Sequence, residues 1–591
     1  MIVEMKKITL LLRSRHREDS LKKLRQLGVL HIQHVKAPES EDIQSNEKRI
    51  DNLRTITSMY ANLEEIESLA LTHHEIEGKI DEIMALRQEK ETLQRLLDEK
   101  NETHRWFDRW GNVSLTSVRA LKDGGVDVRF YMASKHEFKK LQPNEFFHIA
   151  NFQQNMYYFA YFNRTGEVLS DLREDPMPLV EITELNDEIR AIESKISSID
   201  EKIMLNAKYS SAINQFYDEL NKRLTFSRVK SGMGEDGDII YLQGYCPEEL
   251  TESVKKEAER QGWGYVAEKP DTLTEVPTLT HNPRWIRIIN PLFNFMGTLP
   301  GYDEMDVSSI FLAFFSIFYA IIIGDAGYGL VFLIATFFVS RKHKGGSRDF
   351  INLMYLLSFT TIVWGMLSGT WFGSEEIAQL PILRMFIIDS IYSFNEESQG
   401  VMMQLSFIIG CIHLSLAHLL VAIRKMNSWT AIAEIGWIVI IWSVYFVANF
   451  LVLGKEIPEI TIPLLSIGVI MVLIFANFQK NILKGMLSSL ANLPLSVVGA
   501  FSDIVSYIRL FAVGLATVIV SSSFNSMAIG SGIDSVVSGI IAALILFIGH
   551  ALNLTLGAMS VLVHGVRLNL LEFSGHVGVQ WTGRPYTPFK E

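Results

Sequence analysis

A permanent positive charge lies in the middle of an apolar stretch near the end of the chain. Arg509 stands about 13 residues from either end of the stretch 496–524, which is roughly 20 Å of helix. Its guanidinium stays charged at physiological pH, and hydrocarbon around it is costly unless another group compensates the charge. No acidic residue lies three or four positions away, so we expect compensation from another helix, another chain or water. Such a cation would block ions and keep a passing carboxylate ionised, but it cannot relay protons.

A stripe of polar residues follows on the next apolar stretch, 536–570. Its members recur at intervals of three and four, which places them on one face of a helix: His550, Asn553, Gly557, Ser560, His564 and Arg567. Ser502, Ser506 and Arg509 share a face of the preceding stretch, and Thr517 lies further along it. A polar stripe beside a fixed charge suits two aqueous half-pathways that do not connect directly. Helix packing remains the alternative for the serines, and snorkelling to the interface remains the alternative for Arg567.

Three acidic residues are weaker candidates for lining such a pathway. Asp503 points to another side of its helix, and Glu434 and Glu572 lie close to predicted membrane edges, where water would hydrate them. His413 and His418 are expected at contacts between helices. No cofactor or metal site is predicted.

The elements that must position these residues are apolar runs that begin at about residue 291. About 20 apolar residues cross the hydrocarbon core as a helix. About eight spans are predicted: two within 307–340, then 351–372, 402–423, 431–453, 460–478, 496–524 and 536–570. The run 307–340 is too long for one crossing, and "GDAGYG" at 324–329 is expected to turn it back. We expect Asp325 to be exposed in that turn at the far surface, with a buried role as the alternative.

The charges of the connecting loops predict the orientation. The loops "RKHKGGSRD", "RKMN" and "QKNILKG" are basic, whereas the intervening loops are poor in Lys and Arg. Basic loops favour the cytoplasmic side, and these loops alternate correctly if 307–340 crosses twice. The N-terminal segment lacks the long apolar core and cleavage site of a signal peptide. We therefore expect a multi-pass cell-membrane protein, embedded in lipid, with its N-terminal domain and C-terminus in the cytoplasm.

The charged first half predicts an elongated α+β cytoplasmic domain, 1–290, followed by an α-helical membrane domain, 291–591. Strand, helix and strand are expected in about 1–40 and again in about 229–290, which together form one globule. A second, β-rich globule is expected at about 104–181.

Two long helices, at about 41–103 and 182–228, would join the globules. Leu53, Ile56, Tyr60 and Leu63 recur at 3-4-3 spacing in the first helix, and a Leu and Ile seam within 185–203 recurs in the second. This spacing is typical of a coiled coil. Antiparallel pairing within the chain would make a stalk of roughly 60–80 Å, and two homodimeric coiled coils are the alternative.

Composition and motifs argue against several classes of function. The formal net charge of −11, with no basic block, argues against nucleic acid as a partner. Cys246 and Cys411 lie far apart, which argues against a disulfide framework or a cysteine zinc site. The chain contains no Gly-x-x-x-x-Gly-Lys-Ser/Thr signature, so nucleotide chemistry is not predicted on it.

Three stretches carry a family resemblance: "PLFNFMGTLPGYDEMDVSSIFLAFFSIFYAIIIGDAGYGL", "SYIRLFAVGLA" and "LVHGVRLNLLEF". They resemble the membrane stator subunit of rotary V-type and archaeal A-type ATPases, called subunit a or subunit I. The first resembles its entry into the membrane with the Gly-Asp-x-Gly-His/Tyr-Gly motif, the second its Tyr-Leu-Arg-Leu motif, and the third its second arginine motif. The resemblance covers essentially the full length, and the length is that of the shorter prokaryotic members.

The resemblance implies a non-catalytic subunit that provides two ion half-channels beside a rotating ring of c (K) subunits. Arg509 and Arg567 would face the ring, and Arg509 would separate the half-channels and keep each passing ring carboxylate ionised. The cytoplasmic arm would bind peripheral stalk subunits of the E and G type, and ATP hydrolysis or synthesis would occur on other subunits. The choice between H⁺ and Na⁺ would lie mostly in the ring. A stand-alone secondary transporter and a membrane-anchored coiled-coil scaffold are the alternative functions.

Two positions depart from the family pattern. Eukaryotic-type members carry a His eight residues after the first arginine, where this chain has Thr517. Some members carry a Glu ten residues before the second arginine, where this chain has Gly557. His550, Asn553 and His564 are expected to supply the polarity instead.

Overall fold

The computed structural model describes residues 1–60, 71–140, 146–153, 155–164, 169, 172–342, 347–477, 482–530, 532 and 535–590. Leu63, one of the predicted coiled-coil positions, lies outside the described residues. The chain divides into two compact units. The first comprises Met1–Leu12, Lys23–Gln33 and Leu242–Lys590, and the second comprises Arg13–Lys22 and His34–Tyr241.

Helices dominate both halves of the described chain. The strands are β1 (Met5–Arg13), β2 (His31–Gln33), β3 (Asp127–Ser134), β4 (Phe147–Gln153), β5 (Met156–Asn163), β6 (Arg173–Glu174), β7 (Gly234–Asp236), β8 (Ile239–Pro247) and β9 (Gly264–Glu268). The helices up to residue 300 are α1 (Arg17–Leu27), α2 (Glu41–Tyr60), α3 (His73–Trp110), α4 (Leu115–Asp123), α5 (Lys135–Lys140), α6 (Ile182–Leu205), α7 (Ser210–Ser231), α8 (Thr251–Gln261), α9 (Arg284–Arg287) and α10 (Asn290–Met296). The later helices are α11 (Ser308–Ile323), α12 (Ala326–Lys342), α13 (Asp349–Ser368), α14 (Glu375–Ala378), α15 (Pro381–Arg384), α16 (Ser398–Arg424), α17 (Thr430–Leu453), α18 (Thr461–Phe475), α19 (Ile482–Ser506), α20 (Ile508–Ile529), α21 (Val536–Ser560) and α22 (Ser574–Val577). Two π-helical segments, Val561–Gly565 and Leu568–Phe573, lie between α21 and α22.

The two predicted strand–helix–strand patterns form one sheet. Their order along the chain is β1-α1-β2 and β8-α8-β9, a split β-α-β arrangement, and the sheet order is β2-β8-β1-β9. Ile8 and Leu10 alternate into the core from β1. Cys246 on β8 and Cys411 on α16 are both free and buried, and burial raises the pKa of the Cys246 thiol to about 12.

The second unit contains the predicted antiparallel coiled coil. Lys90 contacts Asp200 and Lys100 contacts Glu188, each at 2.5 Å, so α3 and α6 run in opposite directions. The α6 seam is buried at five positions: Leu185, Ile189, Ile192, Ile199 and Ile203. Residues of α2 and α7 pack in the same hydrophobic cluster. The seam is therefore filled by helices of one chain.

Neither long helix is continuous, contrary to the prediction. Described residues of the first helix end with α2 at Tyr60 and resume with α3 at His73, after Thr72 in an extended conformation (φ −72°, ψ 158°). The Glu75 carboxylate accepts from the Thr72 backbone N–H at 2.8 Å, which caps the new helix start. The second is divided by a 3₁₀ turn at Asn206–Tyr209.

The far end of the coiled coil carries the predicted β-rich globule. Its sheet order is β4-β5-β3-β6, and β3 pairs antiparallel with β5, with Phe130 opposite Ala160. Trp106 and Trp110 at the end of α3 meet the Phe130 ring edge-on, both with centroids 5.1 Å apart. Aromatic packing thus joins the helix to the sheet.

Among the described residues, the apolar half contains five helical segments that are long and apolar enough to cross a membrane: Asp349–Ser368, Ser398–Arg424, Thr430–Leu453, Leu493–Ile529 and Val536–Val577. A sixth is added if α11 and α12, which meet at a bend of 119°, count as one span. The predicted count of eight is not confirmed, because α11 and α12 are short and α18 has only 15 residues.

Helix α11 lies at the centre of the largest hydrophobic cluster of the described residues. Twelve of its 16 residues are buried, among them Phe311 and Phe318. Helix α20 approaches it closely at Gly514, where an added Cβ would lie 2.5 Å from the carbonyl oxygen of Ile321. This close approach places the start of α20, and hence Arg509, against the core.

Asp325 is buried, contrary to the prediction that it is exposed. Only 1% of it is accessible. Its carboxylate accepts from the backbone N–H groups of Gly327, Tyr328, Phe372 and Gly373 at 2.8 to 3.1 Å. These bonds connect the turn between α11 and α12 to the loop after α13. Asp325 is therefore a buried structural residue and not an exposed residue of a surface turn.

Candidate functional site

The guanidinium of Arg509 meets a carboxylate of the same chain. Its Nη2 donates to Oε1 of Glu572 at 2.7 Å, and its Nε donates to the carbonyl oxygen of Ser506 at 2.9 Å. The Nε of Arg567 lies 3.8 Å from the same Glu572 oxygen. The Glu572 side chain is 5% exposed, against 20% for Arg509 and 54% for Arg567. We call Arg509, Arg567 and Glu572 the arginine cluster.

The arginine cluster is not electrically balanced. Two guanidiniums share one carboxylate, which leaves one positive charge among the three side chains. The other carboxylate oxygen of Glu572 is buried and has no hydrogen-bond partner within the described part of the chain. Glu572 is therefore not a hydrated residue at a membrane edge, as its position in the sequence suggested. It is the compensating group for Arg509, supplied by another segment of the same chain.

The π-helical segments explain how Arg567 and Glu572 come together. Residues five apart point to different faces of an α-helix. In Leu568–Phe573 the helix is π-type, with hydrogen bonds from residue i to i+5, so residues five apart point in more similar directions than they do in an α-helix. The regular stripe predicted from intervals of three and four therefore does not continue unchanged beyond Ser560.

His413 joins the two segments that carry the arginine cluster. It is fully buried on α16 and lies between Phe314 and Phe573, with ring centroids 3.9 and 4.3 Å away and nearly parallel planes. Its Nδ1 is 2.9 Å from the Tyr507 hydroxyl. Because Tyr507 lies just before α20 and Phe573 ends the second π segment, this stack holds both segments in place. The prediction that His413 lies at a helix contact is confirmed.

A chain of hydrogen-bonded ionisable groups lies near the ends of four helices. Glu434 Oε2 is 2.8 Å from His418 Nδ1, His418 Nε2 is 3.0 Å from His576 Nδ1, and His576 Nε2 is 3.0 Å from Asp503 Oδ2. Lys425 Nζ donates to the other Glu434 oxygen at 2.8 Å. We call these five residues the histidine chain. His418 lies on α16 and Lys425 in the turn after it. Glu434, Asp503 and His576 lie on α17, α19 and α22, respectively.

A second polar cluster surrounds Tyr328. Its hydroxyl is 2.8 Å from His550 Nδ1 and accepts from the amide of Asn553 at 3.0 Å. That amide also donates to the Thr517 carbonyl oxygen at 2.9 Å, and His550 Nε2 is 3.1 Å from Asn525 Oδ1. We call these residues the tyrosine cluster. A largely apolar pocket of about 440 Å³ lies beside His550.

The histidine chain and the tyrosine cluster lie on opposite sides of the arginine cluster. Along α19 and α20, Asp503 precedes Arg509 by six residues, roughly 9 Å. Asn525 follows it by 16 residues, roughly 24 Å. The C-terminal helix has the same three groups in reverse order, from Asn553 through the arginine cluster to His576.

The remaining candidates have more ordinary surroundings. The buried Thr517 hydroxyl donates to the carbonyl oxygens of Val513 and Ile322, as expected of a residue that packs helices. Ser560 is half-buried. His564 is also half-buried, and its Nδ1 has no hydrogen-bond partner among the residues described. Glu434 is ion-paired and mostly buried rather than hydrated.

The described residues contain no group of three or more His, Cys, Asp or Glu side chains placed to hold a metal ion. The clusters are instead linked by hydrogen bonds. Ionisable groups linked in this way are chemically able to hold charge and to exchange protons.

Comparison with known proteins places the chain in a family. It is 32% identical over its full length, and over the full length of the relative, to V-type ATP synthase subunit I of Borreliella burgdorferi. It is 29% identical over the full length of both chains to V-type ATP synthase subunit I 1 of Treponema pallidum. An A-type ATP synthase subunit I of Methanocaldococcus jannaschii is 25% identical over 71% of this chain and 65% of that protein.

The chain belongs to the V-type ATP synthase subunit I family. No family model matches it. A solved structure titled as the cytoplasmic N-terminal domain of subunit I, a homologue of subunit a of V-ATPase, covers 44% of this chain and 99% of that one, with 14% identity and a TM-score of 0.19. Membership in the family rests on the full-length relatives.

Several residues that build the sites of this subunit I were missed from the sequence. Tyr328 lies inside the quoted "GDAGYG" motif, but nothing in the motif linked it to His550. His576 lies four residues after Glu572, yet its partners are on two other helices. The sequence signal for His418 was its place in an apolar run, which predicted a helix contact and no partner.

Proposed function

We propose that this subunit I is the stator of a rotary V/A-type ATP synthase and carries two ion half-channels that meet at the arginine cluster. A ring of c (K) subunits would turn against it, each bringing an acidic group past Arg509 and Arg567. ATP hydrolysis or synthesis would occur on other subunits. The cytoplasmic arm would bind peripheral stalk subunits of the E and G type and keep the stator from turning with the ring.

The observation that carries the proposal is the unbalanced charge of the arginine cluster. One carboxylate faces two guanidiniums, and Arg567 keeps about half of its side chain accessible. A positive charge of this kind in an apolar region costs several kcal/mol unless a further anion approaches it. A ring carboxylate is such an anion, and the positive charge would hold it in its ionised form.

The two flanking clusters support separate half-channels. The histidine chain lies on the side of the basic loop "RKMN", which is expected to be cytoplasmic. The tyrosine cluster lies on the other side of the arginine cluster, with Asn525 near the end of α20 and His550 and Asn553 on α21. Within the proposal, His550, Asn553 and His564 line the path away from the cytoplasm. Asp503 and Glu434 line the cytoplasmic path, and the fixed charge prevents the two paths from joining.

The proposal is tested with the intact complex in liposomes. Arg509→Ala is expected to abolish ATP-driven ion uptake while the complex still assembles, because neither half-channel would then be sealed and no cation would hold the ring carboxylate ionised. Arg341→Ala is the matched control, since Arg341 is an exposed arginine at the end of α12 that stacks on Phe337.

Normal coupled uptake by Arg509→Ala would overturn the proposal. So would purification of the native protein without a ring of small hydrophobic subunits, which is the result expected of a stand-alone transporter or of a membrane-anchored scaffold.

A further inference from the structure

We infer that residues 377–388, which we call the apolar loop, are immersed in the lipid bilayer beside the end of α13. The loop contains the end of α14 and the whole of α15. It has no part in the proposed ion pathway, so the inference stands apart from the proposed function.

The composition of the apolar loop is unusual for a segment in water. Its twelve residues contain one charged side chain, Arg384, whereas Glu376 and Asp389 directly flank it. Exposed patches of apolar side chains mark interaction surfaces. Six apolar side chains of the loop are exposed: Ile377, Leu380, Ile382, Met385, Phe386 and Ile388.

Hydrogen bonds hold the loop against the end of α13. The Ile388 N–H donates to the carbonyl oxygen of Leu367 at 3.0 Å, and the Ser393 N–H donates to that of Ser368 at 3.0 Å. Leu367 and Ser368 are the last two residues of α13. The chain therefore folds back onto the helix end instead of extending away from it.

The apolar loop has an inner face that packs and an outer face that is exposed. On the inner face Ala378 is fully buried, and a Cβ added to Gly369 would lie 2.9 Å from the Ile387 side chain. On the outer face Ile382 and Met385 each have 75% of their surface accessible. The exposed apolar side chains therefore belong to a loop that is held in place.

The position of the helix end determines the depth of the loop. Helix α13 has 20 residues, which is roughly 30 Å and close to the thickness of the hydrocarbon core. It begins at Asp349, beside a basic loop expected on the cytoplasmic side, so Ser368 is expected at the opposite boundary. Phe359 and Val363 of α13 are exposed as well. The apolar surface of the helix thus continues towards the loop at that boundary.

Lipid is the occupant that these residues favour. Acyl chains cover apolar side chains of varied shape and need no hydrogen bonds from them. Arg384 has a long apolar stem, so its guanidinium can reach the headgroups from this depth, and its Nη1 donates to Gln379 Oε1 at 2.7 Å. Water and a protein surface are the two other possible surroundings, and each gives a different experimental result.

Immersion of the loop helps to fix the tyrosine cluster in place. Just before the loop, the Phe372 carbonyl oxygen accepts from the Asn525 amide at 2.7 Å. The N–H groups of Phe372 and Gly373 donate to the Asp325 carboxylate. Asn525 Oδ1 is 3.1 Å from His550 Nε2. A lipid anchor at 377–388 therefore holds one wall of this cluster.

Spin labels on the intact complex, in liposomes of phosphatidylcholine and phosphatidylglycerol, measure what surrounds the loop. Met385→Cys carries the nitroxide, and Glu396→Cys, at an exposed residue just before α16, is the matched control. Wild type, whose Cys246 and Cys411 are buried, gives the background labelling. At Met385→Cys we expect collisions with oxygen to exceed those with a polar nickel chelate several-fold, because polar solutes are excluded from hydrocarbon. The order should reverse at Glu396→Cys.

Two results would overturn the inference. A ratio of the two collision rates at Met385→Cys that equals the ratio at Glu396→Cys means that water surrounds the loop. Low rates with both reagents, together with an immobilised spectrum, mean that a neighbouring subunit or a second copy of the chain covers it.

A second measurement needs no label. Met385→Asp is expected to lower the thermal unfolding midpoint of the reconstituted complex by several degrees, because a carboxylate in hydrocarbon is costly. Met385→Leu keeps the apolar surface and should leave the midpoint unchanged. Equal midpoints for the two variants would contradict immersion, since an exposed position in water tolerates aspartate.

Discussion

At the scale of single residues, Glu572 is the carboxylate that compensates the charges of Arg509 and Arg567. It is the most buried member of the arginine cluster and the one with contacts to the other two. Removing one partner of a buried ion pair leaves an uncompensated charge, which costs more than the pair itself contributes. The same argument gives Arg567 a smaller weight, because its side chain is half exposed and 3.8 Å from the carboxylate.

We expect Glu572→Gln to destabilise the protein by about 3–5 kcal/mol, since Arg509 would lose its counter-charge inside the apolar half. Arg567→Gln should cost about 1 kcal/mol or less, as for an exposed pair. The measurement is the thermal unfolding midpoint of the detergent-solubilised complex. Equal shifts for the two variants would contradict the unequal burial on which this ranking depends.

At the scale of elements, Asp325 holds three helices together. Its carboxylate accepts four backbone N–H groups, two from the start of α12 and two from the loop after α13. The helices also approach closely here, because a Cβ on Gly365 would lie 2.1 Å from the backbone nitrogen of Ala326. A group with two acceptor oxygens suits this site, because all four neighbouring backbone groups are N–H donors.

Asp325→Asn should therefore destabilise the apolar half by about 2–4 kcal/mol, because the amide loses the charge and turns an NH₂ group towards N–H donors. Asp389→Asn is the matched control, an exposed aspartate in the loop after α15, and should change little. The same thermal measurement checks both. A midpoint for Asp325→Asn that matches wild type would show that the carboxylate is dispensable.

At the scale of the whole molecule, the packing of the coiled-coil seam determines how many copies of the chain are required to bury it. The apolar positions of α6 and α7 pack against those of α2 and α3 within one chain. A long helix with an unfilled apolar seam would require a second copy. Five seam positions of α6 are already buried within the chain, so the seam does not need a second copy to cover them.

One copy of this subunit per complex is therefore expected, and native mass spectrometry of the intact complex measures it. Two copies joined through α3 and α6 would contradict the intramolecular pairing. A variant with Ile203→Asp, placed in the seam, should unfold the arm within a single chain rather than release a second copy.

The sequence by itself determined most of the secondary-structure elements and the unusual position of Arg509 in an apolar run. Apolar runs, the 3-4 seam and the alternating strands are local patterns, because the period of the buried side chains follows from the geometry of each element. The unusual position of Arg509 is also a local feature. The energetic cost of a permanent charge in an apolar run can be inferred without knowing its partner. The exceptions were the breaks at Thr72 and at Asn206–Tyr209, where short-range caps and turns override the period.

Only the tertiary structure decided which residues meet. Glu572 lies 63 positions from Arg509, and the residues of the histidine chain come from four helices. Spacing along the sequence therefore predicts neither the Arg509–Glu572 pair nor the histidine chain. The π segments change the direction in which the later side chains of the last helix point. A uniform period of 3.6 residues does not predict this change. Hydrogen-bond partners inside an apolar region are selected by helix packing, because each buried polar group must find its partner among whatever neighbours that packing supplies.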